Sequence, residues 1–505
     1  MSAPTSAMPL IPDLVAQVAA ERGGDIAFRV DNGASITLED WHTRANAFAR
    51  GLLDRGVRPG ERVLLRFDNA RFTDYVVAWL GTHRAGAVSV PISSRFSRSE
   101  LAHVIINSEP VGLVGPSDLL LPDLDLWVSD SSQVGTGRSC DDPGVPIARE
   151  DLADILYTSG TTGLPKGVAT SHANLSAFAA MGGGSSGLFA LLAGGGDRLP
   201  VLLHSFPVST FAGSHGMVIL PLQAALTGLA MSSWDAQRCC ELIEEYQVDL
   251  TYLVPAMAML LLRSGAPERH DVSSVRVQMW GGSAVPGEVL KSLTTQFPGT
   301  TQLNIYGLTE GGPAVTIMPY DPDNPTSIGR PSGITEVSVR DEGNEAVATG
   351  ESGEICLRLP GVPTRHYHKD PEASAAVWTD GWIHTGDIGY QDEAGLLYLV
   401  DRLKDLIIRG GHNLSTLEIE SVLLEHPAVA EAAVFGISHD VLGEDVAAAL
   451  VLNGEVSEDE LIEHCRRHLS GNKVPRRWLF RDSLPRNAMG KSLKRALRLE
   501  AEKTG

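Results

Sequence analysis

Residues Tyr157–Gly167 read YTSGTTGLPKG. Glycines at 160, 163 and 167 let the backbone bend and present its amide N–H groups. Thr158, Ser159, Thr161 and Thr162 add hydroxyl donors, and Lys166 adds a positive charge. Together these suit a triphosphate. The spacing differs from the P-loop, where Gly-Lys is followed by Ser or Thr, because here Gly167 follows Lys166. The bland alternative is a solvated Gly/Ser/Thr loop, which an eleven-residue string of this composition disfavours.

Upstream of this loop, helical and strand patterns alternate. Leu38 to Leu53 repeats apolar residues at helical spacing, and Arg62 to Arg66 reads as a strand. Phe72 to Ala87 reads as a helix, and AVSVP after it as a strand stopped by proline. Such alternation predicts an α/β architecture with a mostly parallel sheet. The apolar stretch from Leu199 to Met231 contains His204, Pro207, His215, Pro221 and Gln223, so it reads as buried strands and helix rather than a membrane span. Glycine clusters at Gly182–Gly184 and Gly194–Gly196 read as a flexible surface loop, with a lid beside a pocket as the second choice. Further on, ESGEICLRL alternates as a half-buried strand. Past Asp401 the pattern becomes helix from Ser415 to His426, strand over AVAEAAVFGI and charged helix from Glu458 to Leu469. The expected fold is a large α/β N-terminal domain of several subdomains, residues 1–401, and a small mobile α+β C-terminal domain, residues 402–505.

A chain of 505 residues fits two or three domains, and 43% apolar with 20% charged residues is ordinary globular composition. The net charge of -21 argues against nucleic acid and anionic membranes as partners. Five scattered cysteines without C-x-x-C spacing fit reduced thiols and disfavour a zinc site. The N-terminus lacks the basic start and apolar core of a secretory signal, so the expected location is cytoplasmic.

Other stretches carry compatible chemistry. Asn304–Glu310 reads NIYGLTE: Tyr306 offers an aromatic face, Thr309 a hydroxyl for phosphate and Glu310 a hard oxygen ligand for Mg²⁺. Trp280–Ala284, WGGSA, follows a predicted strand, and its glycines permit close backbone approach. Gly381–Gly389, GWIHTGDIG, holds Asp387, a carboxylate suited to a ribose diol. Asp401–Ile407, DRLKDLI, and Leu484–Arg495, LPRNAMGKSLKR, add Arg402, Lys404 and Lys491.

Taken together these strings resemble the adenylate-forming superfamily over nearly the whole chain, closest to the compact acid–CoA ligases. The family also includes nonribosomal peptide adenylation domains and luciferase. The resemblance implies an ATP- and Mg²⁺-dependent enzyme that activates an acid as its adenylate and releases pyrophosphate. It passes the acid to a nucleophile, most often the thiol of CoA. It implies nucleotide contacts from Thr158, Ser159, Gly160, Thr161, Thr162, Gly163 and Lys166, from Gly281, Gly282 and Ser283, and from Asn304, Tyr306, Gly307, Asp387 and Arg402. Lys491, Thr309, Glu310 and Lys166 take the catalytic roles, Glu310 holds the metal and Lys404 marks the interdomain hinge. The loop at Gly410–Gly411 faces the thiol after the small domain turns.

One segment departs from the pattern. Related ligases carry P-x-x-H-x-x-G at the acid pocket, whereas Pro207–Gly213 reads PVSTFAG, with Thr210 in the place of the histidine. His204 and His215 are near but out of register. No acidic residue stands in Phe206–Gly213, which disfavours an α-amino acid substrate. Thr416 replaces a common proline. The leading expectation is a ligase for an aromatic or small-to-medium carboxylic acid, with Phe206, Thr210, Phe211, Gly282 and Gly307 at the pocket. The alternative is a CoA-independent enzyme that passes the activated acid to an amine or a separate carrier protein, including nitrite activation for diazotisation. A non-catalytic nucleotide-binding relative is disfavoured by the presence of Lys166, Glu310 and Lys491.

Overall fold

The computed structural model describes residues 8–116, 126–158, 164–182, 198–283, 285–313, 315–486 and 492–503. Local chemistry sets several helix starts. Thr37 caps the helix Leu38–Asp54 by accepting from the Asp40 N–H at 3.0 Å, and Glu39 and Asp40 complement the positive helix end. Ser97 with Glu100, and Ser457 with Glu460, form capping boxes before Arg98–Ser108 and Glu458–His468. The helix from Phe72 ends at Arg84, three residues short of the sequence pattern, where Gly86 takes φ +69° and turns the chain out.

Three sheets organise the described residues. The seven-stranded sheet is parallel across Trp127–Ser129, Pro110–Val114, Arg62–Arg66, Val88–Ile92 and Leu152–Thr158. It continues as an antiparallel hairpin of Leu152–Thr158 with Lys166–Ser171, in which Thr158 faces Lys166, and His366–Tyr367 adds to its edge. A 14-stranded sheet has a parallel centre of Ile26–Val30, Thr227–Ala230, Val201–His204, Leu250–Leu253, Val277–Gly281 and Thr301–Gly307. Antiparallel strands extend it from Val315–Pro319 to Leu397–Arg402 and Trp382–Gln391. The expected parallel sheet is thus the centre of a mixed one. A five-stranded sheet built on Val429–His439 and Gly443–Leu452 carries the helices Thr416–Leu424, Glu458–His468 and Lys494–Lys503, and forms the smaller C-terminal domain.

The apolar stretch near residue 200 is core, as read: Leu202, Leu203, Val218 and Ile219 are fully buried. No helix among the described residues is long and apolar enough to cross a membrane. Cys140 is exposed, the other four cysteines are buried, and all five are unpaired. The loop expected between the glycine clusters lies almost wholly outside the described residues.

Register carries the site. Trp280 donates to Gln302 Oε1 at 2.7 Å, and Gln302 donates to Gln278 Oε1 at 2.8 Å, all three buried. These side chains tie Val277–Gly281 to Thr301–Gly307, so both strands end at the same level, with Gly281 opposite Ile305. Ligands of open α/β sheets bind at such carboxyl ends.

Candidate active site

A cleft of about 2330 Å³ opens where these strands end and runs between the two domains. Thr158 and Lys166 line it from the hairpin of Leu152–Thr158 with Lys166–Ser171. Gly282 and Ser283 line it from one strand end, and Asn304, Tyr306, Gly307, Thr309 and Glu310 from the next. Asp387, Arg402 and Lys404 complete that side, with Thr210 and Phe211 from the Pro207–Gly213 segment. Glu420, Ser492 and Lys494 face them from the C-terminal domain. The sequence reading of Ser159, Gly160, Thr161, Thr162, Gly163 and Lys491 lies outside the described residues. The flanks of Lys491 are described: Arg486 and Ser492 form a β-bridge, and both line the cleft.

Two polar chains cross the cleft wall. In the first, Lys166 Nζ lies 3.6 Å from Asp370 Oδ2 and 5.1 Å above the Tyr367 ring. Tyr367 donates its hydroxyl to Glu310 Oε1 at 2.8 Å. Burial and the Glu310 charge hold the Tyr367 hydroxyl well above the usual phenol range, so it stays a donor. In the second chain, Tyr306 donates to Asp387 Oδ2 at 2.8 Å. Arg402 Nε stands 2.9 Å from Asp387 Oδ1, an ion pair without hydrogen-bond alignment. Burial first, then Asp387, raises the Tyr306 pKa. The hydroxyl therefore stays a donor and braces the carboxylate.

Close approach depends on glycine at the strand end. A Cβ on Gly281 would come 2.8 Å from Tyr252 Oη, and Gly282 adopts φ +87°. Asn304 donates to the Ser327 carbonyl at 3.3 Å, which fixes its side chain under the floor. Phe206 lies behind the lining, 2% exposed, edge-on to Tyr252 at 4.8 Å.

The Pro207–Gly213 segment is built without an imidazole. Thr210 donates to the Pro207 carbonyl at 2.7 Å and accepts from the Gly213 N–H at 3.1 Å, so its hydroxyl serves the local turn. His215 is fully buried and points to Asp154 Oδ2 at 3.1 Å, where His83 also contacts the carboxylate at 3.2 Å. His204 is fully buried against Phe72. Neither histidine lines the cleft.

Several contributors were not singled out from sequence. Glu354 accepts from the Gly386 N–H and from His384 Nδ1, both at 2.7 Å, and so braces the turn that carries Asp387. Tyr367 and Asp370 secure Glu310 and Lys166. Their only sequence signal is position just after the alternating ESGEICLRL strand.

At the domain junction, buried Asp401 accepts from the Thr416 hydroxyl at 2.8 Å and, through a shorter contact, from the Thr416 N–H. Lys494 donates to Thr416 Oγ1 at 2.6 Å and pairs with Glu420 at 2.8 Å. Burial raises the pKa of Asp401 and of Glu420, while the two carboxylates raise that of Lys494 against its own burial.

Residues 15–367 match the family described as AMP-binding enzyme, and residues 418–491 match its C-terminal domain. The chain belongs to this family, and it is an AMP-forming, acid-activating ligase. It is 32% identical to feruloyl-CoA synthase of an Amycolatopsis species over 92% of this chain and 94% of the relative. It is 32% identical to crotonobetaine/carnitine–CoA ligase of Citrobacter koseri over 91% and 92%. Its fold superposes on o-succinylbenzoate CoA synthetase of Bacillus subtilis, solved with ATP and magnesium ion, with TM-score 0.83 and 26% identity over 97% and 99% of the two chains.

Proposed function

We propose that this protein activates an aromatic or small-to-medium carboxylic acid with Mg-ATP and transfers the acyl group to the thiol of CoA. The observation that carries this reading is the pairing of two braced groups in one cleft, Tyr367–Glu310 beside Lys166 and Tyr306–Asp387 beside Arg402. One end suits phosphates and the other suits a ribose.

In the first step an acid oxygen attacks the α-phosphorus, and the bond to pyrophosphate breaks. Two anions meet, so charge must be neutralised in advance. Lys166 and the N–H groups of the 158–163 loop hold the leaving phosphates. Glu310, with one carboxylate oxygen held by Tyr367, is an oxygen donor of the type Mg²⁺ prefers. When bound, Mg²⁺ neutralises phosphate charge. Asp387 accepts from the ribose hydroxyls, and Tyr306, Gly281, Gly282 and Ser283 flank the adenine. Thr309 and Lys491 serve the α-phosphate side. In the second step the CoA sulfur attacks the acyl carbon and AMP leaves.

The domains divide at 401/402, with Lys404 as hinge. In support, the strand Leu397–Arg402 ends the large sheet and Ile407–Arg409 begins the small one, only four residues on. The cleft is lined by Ser492–Lys494, whereas Gly410 and Gly411 are outside its lining. This favours a first-step arrangement, followed by rotation of the small domain. The unpaired thiols suit a cytoplasmic location.

A second reading keeps the adenylate but not CoA: the acceptor is an amine or a separate carrier protein, or the acid is nitrite and an aryl amine is diazotised. The pocket segment without an imidazole favours it. Purified protein with Mg-ATP and benzoates, cinnamates, fatty acids, malonate, or nitrite with an aryl amine, each with and without CoA, decides by product mass. Acyl-CoA with AMP supports the ligase. AMP formation that ignores CoA overturns it in favour of the second reading.

A further inference from the structure

Arg365 lies between the Gly353–Arg358 strand and His366–Tyr367, and its side chain turns inward until 4% exposed. Its Nε is 3.4 Å from Thr170 Oγ1. The guanidinium carbon lies 5.9 Å from the Phe211 ring centroid. Its other neighbour is Gly312, where a Cβ would come 1.7 Å from Nη1 and 2.3 Å from Nη2. Gly312 also has φ +59°, so the backbone there favours glycine twice over.

The guanidinium is short of partners. Nη2 is buried and has no hydrogen-bond partner, and no carboxylate among the described residues is paired with Arg365. Burial lowers its pKa only to about 10, with Glu310 acting in the opposite direction, so it is charged at neutral pH. A buried, charged group without a counterion costs stability unless a ligand supplies the missing charge. Glu310 is already engaged by Tyr367. Phe211 and Gly312 both line the cleft, so this cation sits directly behind the wall beside Thr210.

We infer that Arg365 is a specificity-determining residue whose guanidinium holds a compact, planar two-oxygen anion at the Phe211–Gly312 end of the acid pocket. The inference rests on the reading of this cleft as acid-activating. A planar fork of N–H donors matches two coplanar oxygens better than a point charge does. The shared chemistry covers a small carboxylate and nitrite, and a long apolar acid would gain nothing from it.

The test compares wild type, R365M and R365K in two ways. Thermal unfolding is followed against sodium formate and sodium nitrite, with chloride at equal ionic strength as reference. Acid-dependent ATP–pyrophosphate exchange is measured with formate, malonate, benzoate and nitrite. A saturable rise in Tm with formate or nitrite in wild type, absent in R365M and partly kept in R365K, is expected. In R365M the KM for the accepted acid should rise at least tenfold while the KM for ATP stays within twofold. R365M should fold at least as stably as wild type, since it removes an uncompensated charge. A larger response to formate names the carboxylate, and one to nitrite names the inorganic anion. No saturable anion response in wild type, an unchanged one in R365M, or equal rises in both KM values would overturn the assignment. If no acid drives exchange in wild type, the acid-activation reading fails, and the anion titration still decides Arg365.

Discussion

Acidification from pH 7 to pH 5 should cost the folded protein about 2 kcal/mol through His204 alone. The ring is fully buried, neither nitrogen has a hydrogen-bond partner, and the Phe72 ring packs edge-on at 5.1 Å. Burial pushes its pKa down to about 3, against ~6.5 in an unfolded chain. A depressed histidine pKa means that the unfolded chain binds the proton first. Stability is therefore full above the unfolded value and falls as pH drops from about 6.5 towards about 3. At pH 5 the unfolded imidazole is favoured by about 1.5 log units, at ~1.36 kcal/mol each. Urea unfolding followed by tryptophan fluorescence, at both pH values, on wild type and His204→Leu, isolates this share from other titrations. Wild type should lose about 2 kcal/mol more than the variant. At pH 7 the variant should be at least as stable, because two orphaned polar atoms are gone. Its adenylation rate should stay within twofold, since His204 lies outside the cleft lining. Equal losses in both proteins would refute the buried neutral imidazole. A well-folded variant with a tenfold lower rate would instead make His204 the missing pocket histidine.

Three further outcomes follow from the site. Tyr367→Phe keeps the ring beneath Lys166 and removes the donor to Glu310. A hydrogen bond to a charged group is worth about 1.5–3 kcal/mol, so Mg²⁺-dependent kcat/KM for pyrophosphate release should fall by roughly one to two orders of magnitude. An unchanged Mg²⁺ titration would count against Glu310 as the metal ligand. Thr416→Pro removes both donors to Asp401 at a helix position where proline itself is tolerated. It should lower the unfolding temperature and change the ratio of adenylate formation to thioester formation, whereas Thr416→Ser should restore both. Lys491→Ala should slow adenylation by about 10²–10³-fold while leaving transfer from a supplied acyl-adenylate within a few-fold, as expected for a charge-stabilising group used in one step only. Equal loss in both half-reactions, measured by rapid quench, would remove that assignment.

Local features of the cleft were legible because they depend on short-range chemistry. Gly282 needs positive φ, and the helix starts carry their own caps. What a residue does within a motif was less legible. The sequence offers Tyr306 as an aromatic face, whereas the contact the structure shows is its hydroxyl bracing Asp387, 81 residues away in the chain. Thr210 was legible as a departure from the histidine pattern. That its hydroxyl turns back to Pro207 depends on the local turn closing around Gly213.

From the sequence alone came the family, the α/β class, the small C-terminal domain and several of the residues that line the cleft. Tertiary structure alone decided which of them support one another. Tyr367 meets Glu310, Asp370 meets Lys166, and Arg365 comes to rest between Phe211 and Gly312 with no paired carboxylate among the described residues. The physical reason is that backbone conformation is governed by near neighbours and can be read along the chain. The partner of a buried charge is set by sheet order and packing, which join residues tens to hundreds of positions apart.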